Sequence, residues 1–176
     1  QHTEAQDKFN ELVEIARQNE ELARRMHLLS LTLMDATEPK EIFSVLYKNL
    51  QQNFKVDHVT VKLFVELASS SNHPVEEFVG NAVSEKVLFD SIIQKRMPVS
   101  GHIKPQQRTF LFGENENDIA SAVIVPLHGK GWGGVLSIAS TDLDRFTQTM
   151  GVELLANLGE ILSLILKPWI VEDKSF

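Results

Sequence analysis

Three serines and three arginines are the side chains whose types and positions could serve a ligand. Ser121, Ser137 and Ser140 fall with Ala122 and Ala139 in two apolar segments, where small side chains leave volume and hydroxyls can orient a bound molecule. The same small residues would equally admit close packing of a helix. Arg96, Arg108 and Arg145 flank the segments expected to rim such a pocket, and a guanidinium grips a carboxylate or phosphate through two parallel hydrogen bonds. Arg145 follows Asp142 by three residues and Asp144 by one, which also suits a local ion pair. Arg108, between a polar stretch and the apolar Thr109–Phe112, is the better placed. Convergence of Ser121, Arg108 and Ser140 on one cavity would mark a binding site.

Metal and nucleophile chemistry find less support. His2, His27, His58, His73, His102 and His128 lack metal-binding spacing, and nothing selects His58 or His102 as a haem ligand. Gly113 to Asp118 lacks the alternating ligands, internal glycine and closing glutamate of a calcium loop, so it reads as a solvated turn. No serine sits in a nucleophile elbow. No metal, cofactor or catalytic residue is therefore assigned. An enzyme using Arg108 and a histidine on a small anionic substrate is the least supported reading.

These side chains need elements to hold them. Ile119 to Asp142 reads as two strands joined by a glycine-rich turn, and both faces of both strands lack charge, so both must be covered. Ser121 shares a strand face with Val123, and Ser137 with Val135. Gly129, Gly131, Gly133 and Gly134 lie between strands and not ahead of a helix, so they are expected to supply positive φ to the turn and not to cradle phosphate. Trp132 would cap the hairpin or meet a partner.

Upstream, Ala5 to about Asp35 favours helix, with no Gly or Pro. Its stripe of Leu12, Ile15, Asn19, Leu22, Met26, Leu29 and Leu33 alternates spacings of three and four, the pattern of a two-stranded coiled coil with one polar seam residue. A homodimer through the first and last helices is expected; packing of the stripe on its own domain is the alternative. A second helix runs from about Pro39 to Phe54, with a capping hydroxyl at Thr37. Asp57 to Leu67 alternates as a strand, Phe78 to Val79 is a weak strand signal, and Ser84 to Lys95 is a helix capped by Ser84. Val99 to Ile103 suits a brief strand. Lys104 to Asp118 is left as polar tracts around an apolar patch. The last helix, from about Gln148 to Leu166, is apolar over a wide arc and stops at Pro168.

Composition bounds the function classes. With 176 residues and 43% hydrophobic content the chain can bury a full core. Its 17 basic and 24 acidic residues leave a formal charge of −7, which repels nucleic-acid phosphates and anionic lipid, so neither partner is expected. No cysteine is present, which removes disulfides, thiolate metal sites and thiol nucleophiles and fits the cytoplasm. No apolar run reaches the roughly 18 residues of a membrane helix. The first residue is Gln1 and not Met, as expected of a sequence that starts inside a longer protein.

The hairpin Ser121 to Ser140 with its Val-Pro-Leu and Gly-Val-Leu-Ser-Ile segments, then Asp142, Arg145-Phe146 and a closing helix, resembles a GAF domain. More narrowly, Ala16-Arg17, Asn19-Glu20, Leu22, Leu111-Phe112, Ser121-Ala122, Pro126-Leu127 and Ser140 through Met150-Gly151 resemble the bacterial, GAF-like family known as domain of unknown function 484. The resemblance implies an α+β fold, a central antiparallel sheet flanked by helices, with a long N-terminal helix before the globule. It divides the chain into a dimerisation helix (1–36), a GAF-like domain (37–168) and a C-terminal tail (169–176). It further implies a small-molecule sensor that dimerises through flanking helices. Covalent bilin attachment and methionine sulfoxide reduction in such domains need a cysteine, absent here, and the Asn-Lys-Phe-Asp-Glu set of cyclic-nucleotide binders has no counterpart at Asp142 to Phe146. The expected function is a dimeric, non-catalytic sensor whose ligand contacts are Arg108, Ser121, Ser137, Ser140 and Arg145. The alternative is an interaction module with a pocket filled by its own side chains.

Overall fold

A computed structural model of the chain describes residues 3–68, 75–101, 103–143 and 152–171. Helix α1 spans Thr3–Met34. Residues 3–20 are exposed throughout, whereas Met26, Leu29, Ser30 and Leu33 are buried. Half of α1 therefore projects from the globule, and its other half packs against α2 (Pro39–Asn53) and α5 (Val152–Leu166). The start of α2 differs from the expected cap. Glu38 is the cap residue and makes no side-chain cap bond, while the Thr37 amide and hydroxyl both donate to Glu41 Oε2, at 3.0 and 3.1 Å. Pro39 at the first turn has its φ preset for the helix.

Strand β1 covers His58–Leu63, shorter than the expected Asp57 to Leu67. Its partner strand ends beside it: the Phe64 amide donates to the Gly133 carbonyl at 2.9 Å, beyond which the pairing with that strand stops and Leu67 makes one isolated antiparallel bridge to Ile170. Alternation persists, since Val61, Leu63 and Val65 all enter one core layer while Phe64 enters the other. Phe78 contributes a single parallel bridge to Leu63 and not a strand.

The expected Ser84 to Lys95 helix is divided. A 3-10 turn occupies Ser84–Leu88, capped at Val83 and not at Ser84, and α3 runs over Asp90–Lys95. Phe89 lies at the break, fully buried, with ring centroids 5.8 Å from Phe64 and 5.7 Å from Phe110. Strand β2 is Val99–Gly101. The tract from Lys104 forms helix α4, Pro105–Phe112, followed by a 3-10 stretch over Gly113–Asp118. Pro105 opens α4, and Gln107 Oε1 accepts the Lys104 amide at 3.1 Å, tying down an N–H that the helix cannot use.

Strands β3 (Ser121–Gly129) and β4 (Trp132–Ser140) form the expected hairpin, paired from Gly129 with Trp132 to Ser121 with Ser140. Among the described residues the sheet is four-stranded and antiparallel, in the order β1-β4-β3-β2. Both faces are covered. Val61, Leu63, Val123, Val125, Leu136 and Ile138 meet α1, α2 and α5; Ala122, Ile124, Val135 and Ala139 meet the layer of α3, α4 and the phenylalanines. The fold is α+β with a long N-terminal helix, as expected.

Of the four hairpin glycines only Gly131 has positive φ (77°), which corrects the expectation for the other three. Close approach explains them. A Cβ on Gly129 would enter the Trp132 indole, one on Gly133 would stand 2.9 Å from Ile93 Cγ2, and one on Gly134 would stand 2.7 Å from the Lys62 carbonyl. Gly159 likewise lets α5 reach β3, where a Cβ would lie 2.7 Å from Val125 Cγ1.

Candidate ligand-binding site

The serines expected to share a cavity lie on opposite faces of the sheet. Ser121 and Ser140 are direct partners across the hairpin, on the face of Val123 and Ile138. Their hydroxyls are engaged at the strand ends. Ser121 Oγ donates to the Asp142 carbonyl at 2.6 Å; Ser140 Oγ donates to Asp57 Oδ2 at 3.2 Å and accepts the Asp142 amide at 3.0 Å. Asp57 also accepts the Thr141 amide at 2.8 Å and the Thr141 hydroxyl at 3.2 Å. Chiefly through the Thr141 amide, these bonds hold its carboxyl below the ordinary aspartate range. The group fastens the turn after β4 to the start of β1.

Ser137 occupies the other face. It pairs with Thr60 on β1 and Ile124 on β3, and its face is the one beneath α4, because the Thr60 hydroxyl donates to the Leu111 carbonyl at 3.0 Å. Arg108 stands on α4 one turn before Leu111 and Phe112, which are both buried. Ser137 is 0% exposed. Its Oγ and Arg108 Nε are buried without a hydrogen-bond partner. Two other polar groups of this layer have contacts: Gln107 Nε2 donates to the Leu88 carbonyl at 2.8 Å, and Lys62 Nζ lies 5.7 Å from the centroid of the Phe110 ring. Burying a donor without a partner costs about 1–3 kcal/mol, so two such groups in one layer require an explanation. Sequence reading singled out both residues but not their shared layer. The spacing carried part of it, since Ser137 and Ser140, three apart on one strand, must face opposite ways.

Arg145 lies outside the described residues, as does His102. Arg96 is exposed at the left-handed end of α3 (φ 54°). Of the expected seam, Met26, Leu29 and Leu33 are buried in the chain's own core and Leu22 is partly covered, whereas Leu12, Ile15 and Asn19 face solvent. Phe9 and Leu12 are each 66% exposed, and Ile15 37%.

Four concave regions among the described residues are lined by neither Arg108 nor Ser137: one of about 480 Å³ beside α4, lined by Ser84, Val87, Leu88, Pro105 and Phe110, and three others. The largest, about 780 Å³, lies between α1 and the end of α2 and is lined by Glu14, Arg17, Glu21 and Arg25. These four charges already pair with one another, Arg17 with Glu14 at 2.6 Å and Arg25 with Glu21 at 3.1 Å, at solvent-accessible positions. A cavity of about 360 Å³ at the hairpin tip is formed by His128, Trp132, Glu160 and Leu164. Burial there, aided by Arg96, pushes His128 below the ordinary histidine range. Trp132 is buried over Gly129 and caps the hairpin. A third, about 200 Å³, contains Tyr47, Lys62, Glu76 and Glu77. Burial, with Glu76 adding to it, raises Glu77 above the ordinary glutamate range; burial, with Glu77 and then Glu76 beside it, lifts Tyr47 well above that of a phenol. Among the described residues no group of three or more His, Asp or Glu could hold a metal, and no helix is long and apolar enough to cross a membrane.

Residues 1–171, which include every helix and strand named above, match the family model described as protein of unknown function, DUF484. The chain belongs to the DUF484 family. No curated protein matches it. For a DUF484 chain the family description assigns no reaction or ligand, so the functional reading rests on the site itself.

Proposed function

We propose that this DUF484 chain is a dimeric, non-catalytic regulatory module that holds a small molecule between α4 and the sheet. The observation that carries the reading is the pair of buried, unpartnered polar groups, Arg108 Nε and Ser137 Oγ, facing one layer. A ligand bearing hydrogen-bond acceptors satisfies both and offsets the cost of leaving them dry. The projecting half of α1 supports dimerisation: Phe9, Leu12, Val13 and Ile15 are exposed along it, with Asn19 as a polar position in the seam. Coupling between the two runs through β3, which presents Ile124 to the α4 layer and Val125 to Gly159 of α5, and α5 packs on α1. The absence of cysteine and the charge of −7 favour a cytoplasmic setting with no nucleic-acid or membrane partner.

Native mass spectrometry of the gently purified full chain tests this reading. It expects a dimer carrying an added small-molecule mass; a monomer at micromolar concentration overturns the dimer, and a bare mass overturns the ligand. The second reading, an interaction module with a filled pocket, is favoured by the Phe64, Phe89 and Phe110 rings that occupy part of the α4 layer at centroid distances of 5.7–6.2 Å. It expects a dimer at bare mass and no metabolite that shifts the melting temperature.

A further inference from the structure

We infer that the ligand is a small monocarboxylate, its two oxygens held by Arg108 and Ser137 and its apolar body against the sheet; this rests on the ligand-binding reading above. The two anchors belong to one layer. Ser137 sits one strand, about 4.8 Å, from Thr60, and Arg108 sits three residues, about 4.5 Å along the helix, before the Leu111 whose carbonyl Thr60 holds. A guanidinium has donors only, so its partner must be an acceptor, and no ion pair to Arg108 occurs among the described residues. Arg108 is half-buried with its Nε inaccessible to solvent, and a guanidinium N–H so placed is better satisfied by an anion than by a neutral group.

The donor set selects among anions. The inward Nε–H of Arg108 and the Ser137 hydroxyl match the two oxygens of a carboxylate, whereas a phosphate dianion brings more charge and more acceptors than this layer supplies. The surroundings are apolar: Ala122, Ile124, Val135 and Ala139 on the sheet and Leu111 and Phe112 on α4. An aliphatic or aromatic carboxylate is the class that fits a charged end and an apolar floor.

The test titrates the full chain with butyrate, octanoate and benzoate by calorimetry and thermal shift, beside butyramide, benzamide and inorganic phosphate. At least one carboxylate is expected to bind saturably and raise the melting temperature, with no effect from the amides or phosphate. Arg108→Gln is expected to weaken that carboxylate about tenfold or more, the loss of a hydrogen bond to a charged group. Ser137→Ala removes only a buried hydroxyl and should fold; it is expected to weaken the carboxylate while raising the melting temperature of the empty protein, which a structural hydroxyl would not do. No binding by any carboxylate, equal binding by the amides, tighter binding by phosphate, or unchanged affinity in both variants overturns the proposal. A neutral or cationic mass found by native mass spectrometry overturns the carboxylate assignment and leaves the ligand-binding reading standing; an empty chain that binds no probe overturns both.

Discussion

Thr60 and Ser137 are direct partners across β1 and β4 and face the same layer, yet only one of their hydroxyls is used. Thr60 donates to the Leu111 carbonyl at 3.0 Å, while Ser137 Oγ is buried with no partner. Replacing Ser137 by alanine removes a desolvated hydroxyl and no bond. Chemical denaturation of the ligand-free protein should show a gain of about 1 kcal/mol, whereas Thr60→Val, which orphans a helix carbonyl, should lose about that much.

Gly129 and Trp132 predict a second asymmetry. A Cβ at Gly129 would enter the indole, so Gly129→Ala should cost about 1–3 kcal/mol through displaced packing. Tryptophan fluorescence should show the ring moved toward water. An unchanged spectrum with unchanged stability would contradict the cap role of Trp132.

How far the sequence could be read follows from these residues. Alternation in β3 and β4 exposed the hairpin and its two covered faces, because a period of two with no charge has few other solutions. Glycine spacing did not reveal which glycines avoid a clash and which adopt positive φ, since that depends on Trp132, Ile93 and Lys62 reaching them in three dimensions. Helix α4 was missed because its polar length hid the signal at its start, Pro105 with Gln107 two positions on. Residue type marked Arg108 and Ser137, but only the Thr60 to Leu111 bond shows that they face one layer. The heptad stripe of α1 was legible as apolar, with a seam and packing on its own domain as the two readings; that the stripe divides, its second half taken by the chain's own α2 and α5, was not.

That division predicts opposite outcomes along one stripe. Leu12→Asp should abolish the dimer in sedimentation equilibrium with little change in the stability of the globule, because Leu12 touches solvent. Leu29→Ala, in the buried half, should cost about 2–5 kcal/mol in denaturation.

Glu77 and Asp57 should shift stability with pH in opposite senses. Burial raises Glu77, so the folded state holds its proton above the ordinary value of 4.5, and stability falls as pH rises from there through the raised value. Glu77→Gln should be more stable than the parent at neutral pH and flatter across that window. Asp57 is lowered by Thr141 and Ser140, so its contribution is complete above the ordinary 3.8 and lost as pH falls through the lowered value. Asp57→Asn should lose below about 1 kcal/mol at pH 7, screened by solvent, and show a weaker acid limb. Stability curves between acid and neutral pH check both signs.

The most direct measurement is native mass spectrometry of the wild-type chain beside Arg108→Gln, purified identically. The wild type should be a dimer carrying an added mass, and the variant a dimer at its bare mass. An empty wild type, or the same added mass on both, would contradict a ligand held by Arg108 beneath α4.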